Sequence, residues 1–169
     1  MKKLLCLLLC LALPLAALAE TAPLTEDDFV LTVDGTAYAL GENPEALLAA
    51  LEALTGAPLA MTESVSCMFD GMDREYENEA VLVGTYPIGG EVSESIIVST
   101  DALTTARGAM VGMTTADIEA LYGEPDLLDW DTMLYYLLGA PDHEPYLIFG
   151  FDLDTGVITY WIAGWGTFV

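Results

Sequence analysis

Carboxylates recur at every second position in one short stretch and are the strongest candidates for chemistry in the chain. They are Asp73, Glu75, Glu77 and Glu79. Residues two apart on a β-strand share one face, so the four side chains could hold a hard cation such as Ca²⁺ through oxygen ligands. Acidic side chains are also typical of strand faces that lie in water and discourage pairing with other chains. We favour this second interpretation, keep the metal site as the weaker alternative, and predict no cofactor.

Nucleophilic catalysis has little support in the sequence. The chain has one histidine, His143, and Cys67 is the one cysteine that follows the first ten residues. There is no Gly-x-Ser-x-Gly elbow, no His-Glu-x-x-His zinc motif and no glycine-rich phosphate loop. With 27 acidic residues, a hydrolase that uses a pair of carboxylates stays open as an alternative. We predict that the protein is not an enzyme.

Aromatic residues are concentrated near the C-terminus, where they could form a recognition surface. Large rings bury much area at low entropic cost and are typical of protein-binding surfaces. Neighbouring residues on a strand point to opposite faces, so Tyr135 and Tyr136 must separate, as must Tyr160 and Trp161. If helices cover one side of the sheet, one member of each pair lies in the core. The candidate binding residues are Tyr135, Tyr136, Tyr160, Trp161 and Trp165.

The first 19 residues have the pattern of a secretory signal peptide. Two lysines precede an apolar run over residues 4–13, and Ala19 is a small residue suited to cleavage on its C-terminal side. Acylation of Cys10 is disfavoured because leucine precedes it where a lipoprotein signal needs a small residue. We therefore predict a secreted or cell-surface protein whose mature chain does not insert into a membrane.

The charge of the chain excludes two classes of partner. The 169 residues include 4 basic and 27 acidic side chains, and loss of residues 1–19 leaves Arg74 and Arg107 against all 27 acids, a net charge of −25. Nucleic acids and anionic membranes are bound by Lys and Arg that face phosphates, so both are repelled. A hydrophobic share of 54% still allows one sizeable core. The composition indicates a folded, acidic, exported protein.

The same charge predicts how stability depends on pH and salt. Repulsion between carboxylates raises their average pKa in the compact chain above that in the unfolded chain. The folded chain therefore binds protons more tightly than the unfolded chain, and protonation stabilises it. This stabilisation is lost as the pH rises through the carboxyl pKa values of the folded chain. We expect a higher melting temperature near pH 5 than at about pH 8, and a gain on adding salt at the higher pH. Thermal melts test this, and flat responses to both pH and salt would contradict it.

Periodicity and turn signals predict an α+β fold. An Asp-Gly pair between apolar runs indicates a hairpin over residues 29–40. Spaced apolar residues with capping residues and a terminal glycine predict helices over residues 44–54 and 114–122. Alternation and turn residues predict the strands, which cover residues 66–69, 74–86, 95–100, 133–138, 146–152 and 157–163.

The two predicted helices have similar surroundings in the sequence. Each follows a glycine, ends at a Gly-x-Pro and precedes a strand-rich stretch. We interpret this as a duplication inside one domain, residues 20–169, whose halves cover about 27–104 and 105–169. The predicted fold is two tandem helix-plus-antiparallel-sheet units that form one continuous or paired antiparallel sheet with the helices on one face.

The second predicted helix resembles a family signature. The residues Gly112-Met113-Thr114, Ile118 and Tyr122-Gly123-Glu124-Pro125 are similar to the Gly-x-Thr to Leu-Gly-x-Pro helix of the SmpA/OmlA-type outer-membrane assembly lipoproteins and of the tandem-repeat β-lactamase inhibitor proteins. The resemblance implies helical units packed on an antiparallel sheet, and a role in binding other proteins. A further stretch over residues 67–87 resembles a segment of exported bacterial proteins and implies no activity.

These patterns together predict a secreted bacterial binding module that recognises a protein or peptide through an open sheet face. A secreted hydrolase with paired carboxylates and a structural envelope protein are the alternatives. The sheet distinguishes them, because an uncovered aromatic face supports binding whereas a deep pocket with two converging carboxylates supports hydrolysis.

Overall fold

The computed structural model describes residues 21–139 and 143–166. Over these residues the chain has an α+β fold, which confirms the predicted class. The predicted signal peptide, its cleavage site after Ala19 and Cys10 lie outside the described residues.

A short hairpin comes first. A 3-10 turn over Glu26–Phe29 leads into strand β1 (Val30–Val33), which pairs antiparallel with β2 (Thr36–Ala39). Between the strands, Asp34 and Gly35 have φ angles of 47° and 79°, the left-handed values that a type I′ turn needs at both positions. The predicted Asp-Gly hairpin is confirmed.

Helix α1 spans Glu45–Thr55, with Pro44 at the N-cap position, one residue after the predicted cap Asn43, and the predicted Gly56 at its end. The side-chain oxygen of Asn43 accepts the N–H of the first helical residue at 3.0 Å. Leu47 and Leu51 are buried one turn apart on the inner side of the helix. The helix ends at Gly56, whose φ of 67° is the left-handed conformation that glycine adopts without strain.

Helix α2 spans Thr115–Tyr122 and begins with the predicted capping box. The Thr114 hydroxyl accepts the N–H of Asp117, and the Asp117 carboxylate accepts the N–H of Thr114 at 2.9 Å. Ile118 of this helix is fully buried. Neither α1 nor α2, the helices of the described residues, has the length and apolar character needed to span a membrane.

Eight further strands of the described residues form one antiparallel sheet. They are β3 (Ala60–Val65), β4 (Met72–Glu77), β5 (Val81–Tyr86), β6 (Val92–Val98), β7 (Leu127–Asp129), β8 (Thr132–Tyr136), β9 (Tyr146–Phe151) and β10 (Ile158–Gly164). Their order across the sheet is β3-β4-β5-β6-β10-β9-β8-β7. Each helix is thus followed by a four-stranded meander, and the meanders meet where β6 pairs with β10.

One side of this sheet carries the core. Leu47 and Leu51 of α1 and Ile118 of α2 belong to one buried cluster that also contains alternate residues of the central strands. One row of that cluster runs in register across β5, β6, β10, β9 and β8 and consists of Val83, Ile96, Ala163, Leu147 and Tyr135. Burial of each large apolar side chain contributes about 1.5–3 kcal/mol, so this cluster is the main source of stability.

The predicted strand over residues 66–69 is wrong. The chain turns there, because the Ser66 hydroxyl accepts the N–H groups of Met68 and Phe69 at 3.3 and 3.1 Å. The strand lies just before this turn, as β3. Cys67, inside the turn, is exposed.

The single strand predicted over residues 74–86 is two strands, β4 and β5. Asn78 interrupts it, because its side-chain oxygen accepts the N–H groups of Ala80 and Val81 at 2.9 and 3.1 Å and so closes a turn. Glu79 therefore lies in the turn and is separated from the acidic residues of β4. The short edge strand β7 was not predicted either.

Candidate interaction surface

The side of the sheet opposite the core carries a continuous row of aliphatic residues. One residue from each of five adjacent strands contributes, and neighbours in the row are direct cross-strand partners. The row consists of Leu82, Ile97, Ile162, Ile148 and Leu134, all half-buried. We call it the aliphatic row, and we call the side of the sheet on which it lies the open face.

Tyrosines stand on both sides of the aliphatic row. The ring of Tyr146 on β9 lies over Gly164 of β10, and the ring of Tyr160 on β10 lies over Gly150 of β9. A Cβ atom on either glycine would overlap the ring, so glycine is required at both positions for this close approach. Tyr136 on β8 pairs with Tyr146 and extends the tyrosines toward the edge of the sheet. The aliphatic row is therefore an apolar strip with tyrosine rings on both sides.

The structure divides the five aromatic residues that the sequence predicted as a binding set. Tyr136 and Tyr160 lie on the open face and are partly exposed. Tyr135 and Trp161 point into the core with exposed fractions of 2% and 1%. These two residues cannot contact a partner in the folded protein, so their inclusion in the binding set is corrected. The alternation that separates each pair is as predicted.

Trp165 lies beyond the end of β10 and takes part in packing. Its ring stacks on His143 with centroids 3.6 Å apart and planes 10° from parallel. Its six-membered ring also lies against Gly41, where a Cβ would come within 2.8 Å of it. The Nε2 atom of His143 lies 3.3 Å from a carboxylate oxygen of Glu26. Trp165 is partly buried against the core cluster and therefore joins the N-terminal segment to the sheet, outside the aliphatic row.

The acidic side chains of β4 do not converge on a point. Asp73, Glu75 and Glu77 lie on the open-face side of this strand, and Glu79 lies in the following turn. Residues two apart on a strand are separated by about 6.6 Å, whereas Ca²⁺ ligands lie about 2.3–2.6 Å from the ion. Among residues 21–139 and 143–166, no three such side chains are placed to hold a metal ion.

A depression of about 470 Å³ opens at the β3 to β6 end of the open face. This volume falls within the roughly 300–1,000 Å³ of typical ligand sites. Its lining includes four carboxylates, one arginine, one tyrosine and two members of the aliphatic row: Glu63, Asp73, Glu75, Glu94, Arg74, Tyr86, Leu82 and Ile97. We call it the acidic depression.

A β-bulge places Glu94 in the acidic depression. Gly84 pairs with Ser95 while Thr85 pairs with Ser93, so Glu94 is an extra residue without a partner on β5. A bulge redirects the side chain of the extra residue, and here it puts a carboxylate among the open-face residues.

The surroundings of Glu94 perturb several ionisable groups. Burial raises the pKa of the Glu94 carboxyl above its ordinary value. Burial, with a smaller contribution from Glu94, raises the pKa of Tyr146 to about 12. Burial, followed by Glu94 and Asp73, also raises the pKa of Tyr86. Within the acidic depression, the positions of Glu94 and Tyr86 are therefore the poorly solvated ones, where negative charge is disfavoured.

The sequence contains a signal for the open face that our predictions missed. Each of the five central strands holds three consecutive apolar residues, and the middle one belongs to the aliphatic row. Such runs indicate strands that are apolar on both faces. Because α1 and α2 are the two α-helices of the described residues and both contribute to the cluster on the core side, these runs indicate an apolar row on the opposite face. Glu94 carries no comparable signal, since its placement depends on the bulge.

The buried position of Glu94 leads to a prediction about stability. The pKa of the Glu94 carboxyl is raised in the folded protein. The free energy of unfolding therefore falls as the pH rises through that pKa and the carboxyl ionises. The Glu94→Gln variant should therefore be more stable than the wild type near neutral pH. A gain on the order of 1 kcal/mol raises the melting temperature by roughly 2–4 °C.

Thermal melts at about pH 7.5 and pH 4 check this expectation, because the gain should disappear when the wild-type carboxyl is protonated. The exposed Glu119→Gln change on α2 is the matched control, since it removes the same charge without relieving burial. Equal shifts for the two variants would show that general charge repulsion, and not the burial of Glu94, controls the response.

The resemblance to the SmpA/OmlA-type and inhibitor families rests on the signature of helix α2. The open face, its tyrosines and the acidic depression lie outside that signature. Comparison of the chain with protein-family models, curated proteins and solved structures gives no match.

Proposed function

We propose that the protein is a binding module without catalytic activity, and that it recognises a protein or peptide through the open face. The aliphatic row carries this proposal, because it crosses five strands and stays half-exposed in the described part of the chain. Large contiguous apolar patches on soluble proteins commonly mark interaction sites. A partner that covered the row would complete the apolar centre of an interface.

Tyr136 and Tyr160 support the proposal from the edges of the row. Tyrosine combines a large apolar ring with a hydroxyl that can remain hydrated, which suits a surface that is exposed before binding. Truncation of a central aromatic anchor costs about 2 kcal/mol of binding free energy, or roughly 30-fold in affinity. We expect these two residues to be the principal anchors.

We also propose that the halves of the chain are a tandem duplication with their helices on one face of the sheet. The element order supports this, since a helix followed by a four-stranded meander occurs twice. The last strands of the two meanders, β6 and β10, lie at the centre. The aliphatic row is then built jointly, with Leu82 and Ile97 from the first half and the other three members from the second.

Export is part of the proposed function, because the first 19 residues have the pattern of a cleaved signal peptide. The expected mature chain starts at Glu20 and carries no lipid. Intact-mass analysis of protein recovered from the native host tests this, and a diacylglycerol adduct on Cys10 would contradict it.

A peptide-display selection tests the open face directly. Random twelve-residue peptides are selected on immobilised mature protein, and the affinities of the selected peptides are measured by fluorescence polarisation. We expect Tyr136→Ala and Tyr160→Ala to weaken binding by tenfold or more each. The double variant Ile148→Gln, Ile162→Gln should not bind the peptides, because two polar side chains then interrupt the aliphatic row.

The matched control changes Val65 and Leu153 to glutamine, since both are exposed apolar residues outside the open face. Binding to this control should equal binding to the wild type. Each variant must still melt cooperatively. Selected peptides that bind the open-face variants as tightly as the control, or a selection that yields no binder, would refute the proposal.

A further inference from the structure

The open face carries a net negative charge, since the acidic depression is lined by four carboxylates and, among the basic residues of the described part of the chain, by Arg74 alone. The two basic residues in this part of the chain are Arg74 and Arg107. Arg74 points to the opposite side of β4 from Asp73 and is paired with two glutamates at 3.3 and 2.7 Å. Arg107 is paired with Asp28 at the N-terminal segment. An approaching partner therefore meets an excess of carboxylates, since Arg74 adds one positive charge to a depression lined by four acidic side chains.

The acidic depression has the strongest requirement for a positive charge. The Oδ1 atom of Asp73 is buried and has no hydrogen-bond partner among the described residues. Buried polar atoms are nearly always paired, so this oxygen lacks a donor in the free protein. Glu94 lies half-buried in the same depression, and the ring of Tyr86 lines it with them. Carboxylates beside an aromatic face attract a cation both by charge and through the ring.

The shape of the depression favours a cation on an apolar stem over a bare ion. Leu82 and Ile97 line the depression and also belong to the aliphatic row, so the two features are continuous. Lysine and arginine side chains have a methylene stem that packs on apolar residues and a terminal group with several N–H donors. A metal ion would need converging ligands, which the described residues do not provide.

We propose that the partner is a peptide segment that inserts a lysine or arginine side chain into the acidic depression, between Tyr86, Asp73 and Glu94, while its neighbouring apolar residues cover the aliphatic row. This inference rests on the proposed function, and it adds the chemistry of the partner. Charge complementarity then selects the partner, and the aliphatic row supplies the contact area.

A double-mutant cycle on the selected peptides tests the inference. Each lysine or arginine of a peptide is replaced in turn by methionine, and affinities are measured for the wild type and for the Asp73→Asn, Glu94→Gln double variant. We expect one replacement to weaken binding to the wild type by at least tenfold. The same replacement should change binding to the double variant by less than twofold, because the partners of the cation are gone.

A second double variant, Asp101→Asn with Glu119→Gln, controls for net charge. Both residues are exposed, and their loss changes the charge by the same amount. With this control, the peptide replacement should weaken binding as much as with the wild type. If the peptide replacement changed affinity equally for the two double variants, the peptide's charge would act through general attraction to an acidic protein. That result would overturn the inference.

The outcomes separate the inference from the proposed function. Some selected peptides could contain no lysine or arginine and still lose affinity for the Tyr160→Ala variant. Such peptides would overturn the inference and leave the proposed function intact. A failure to select any peptide would overturn both. Cooperative melting of the Asp73→Asn, Glu94→Gln variant, for which no loss of stability is expected, shows that an observed loss of binding arises at the site.

Discussion

The Arg107→Met variant is expected to lose about 3–5 kcal/mol of unfolding free energy at neutral pH. Arg107 donates two hydrogen bonds to the carboxylate of Asp28, at 2.6 and 2.8 Å, and the exposed fractions of the two side chains are 18% and 7%. It also donates to the carbonyl oxygens of Ala22, Pro23 and Leu121. Its loss would leave a buried carboxylate unpaired and would separate the N-terminal segment from the end of α2.

The pH dependence identifies the cause of this loss. Burial alone would raise the pKa of Asp28, but hydrogen bonds from Arg107 and Thr25, together with the charge of Arg107, bring it below the ordinary value. The stabilisation is therefore present above the unfolded pKa of about 3.9 and is lost as the pH falls through the lower folded pKa. Urea unfolding at about pH 7 and pH 3 should show a smaller difference between the variant and the wild type at the second pH than at the first.

Two controls accompany this measurement. The Arg74→Met variant removes the more exposed arginine and should cost under about 1 kcal/mol. The Arg107→Met, Asp28→Asn double variant should be more stable than Arg107→Met alone, because no unpaired charge stays buried. A loss in Arg107→Met that is the same at both pH values would assign the effect to packing of the guanidinium on Tyr122, whose ring centroid lies 5.0 Å away.

Local signals predicted the elements that are defined by neighbouring residues. The hairpin at Asp34, the caps of α1 and α2 and the glycine at the end of each helix depend on backbone and side-chain groups within four residues. The residues that make these interactions are close together in the sequence. Their positions in the structure agree with the prediction because no distant contact is needed to form them.

Strands whose position depends on distant partners were predicted less well. All six residues of β3 are exposed, and its sequence has no alternation that could indicate a strand. Pairing with β4 holds it in place. The division between β4 and β5 was missed because Asn78 lies within a long alternating run, and its turn is visible only from hydrogen bonds to the residues that follow.

The candidate site was predicted in part. Alternation correctly assigned Tyr160 and Trp161 to opposite faces, but it could not say which face is covered. That choice depends on where the apolar sides of α1 and α2 pack, a property of the whole fold. The acidic depression could not be predicted at all, since it needs a bulge in β6 and four strands in register.

Trp161→Ala is expected to destabilise the protein by about 3–5 kcal/mol, whereas Tyr160→Ala should cost about 0.2–1 kcal/mol. Trp161 is 1% exposed and pairs with Val98 and Phe149 across the two neighbouring strands. Its removal leaves a cavity that the surrounding side chains fill only partly. Tyr160 loses only its contact over Gly150, on the side that water reaches.

The Trp161→Phe variant separates volume from polarity at this position. The Nε1 atom of Trp161 is buried without a hydrogen-bond partner among the described residues, so phenylalanine removes an unsatisfied donor while keeping most of the ring. We expect a loss under about 1.5 kcal/mol. Urea unfolding followed by circular dichroism measures all three variants. Similar losses for Trp161→Ala and Tyr160→Ala would mean that Tyr160 is as covered as Trp161, and the proposed binding surface on the open face would then be wrong.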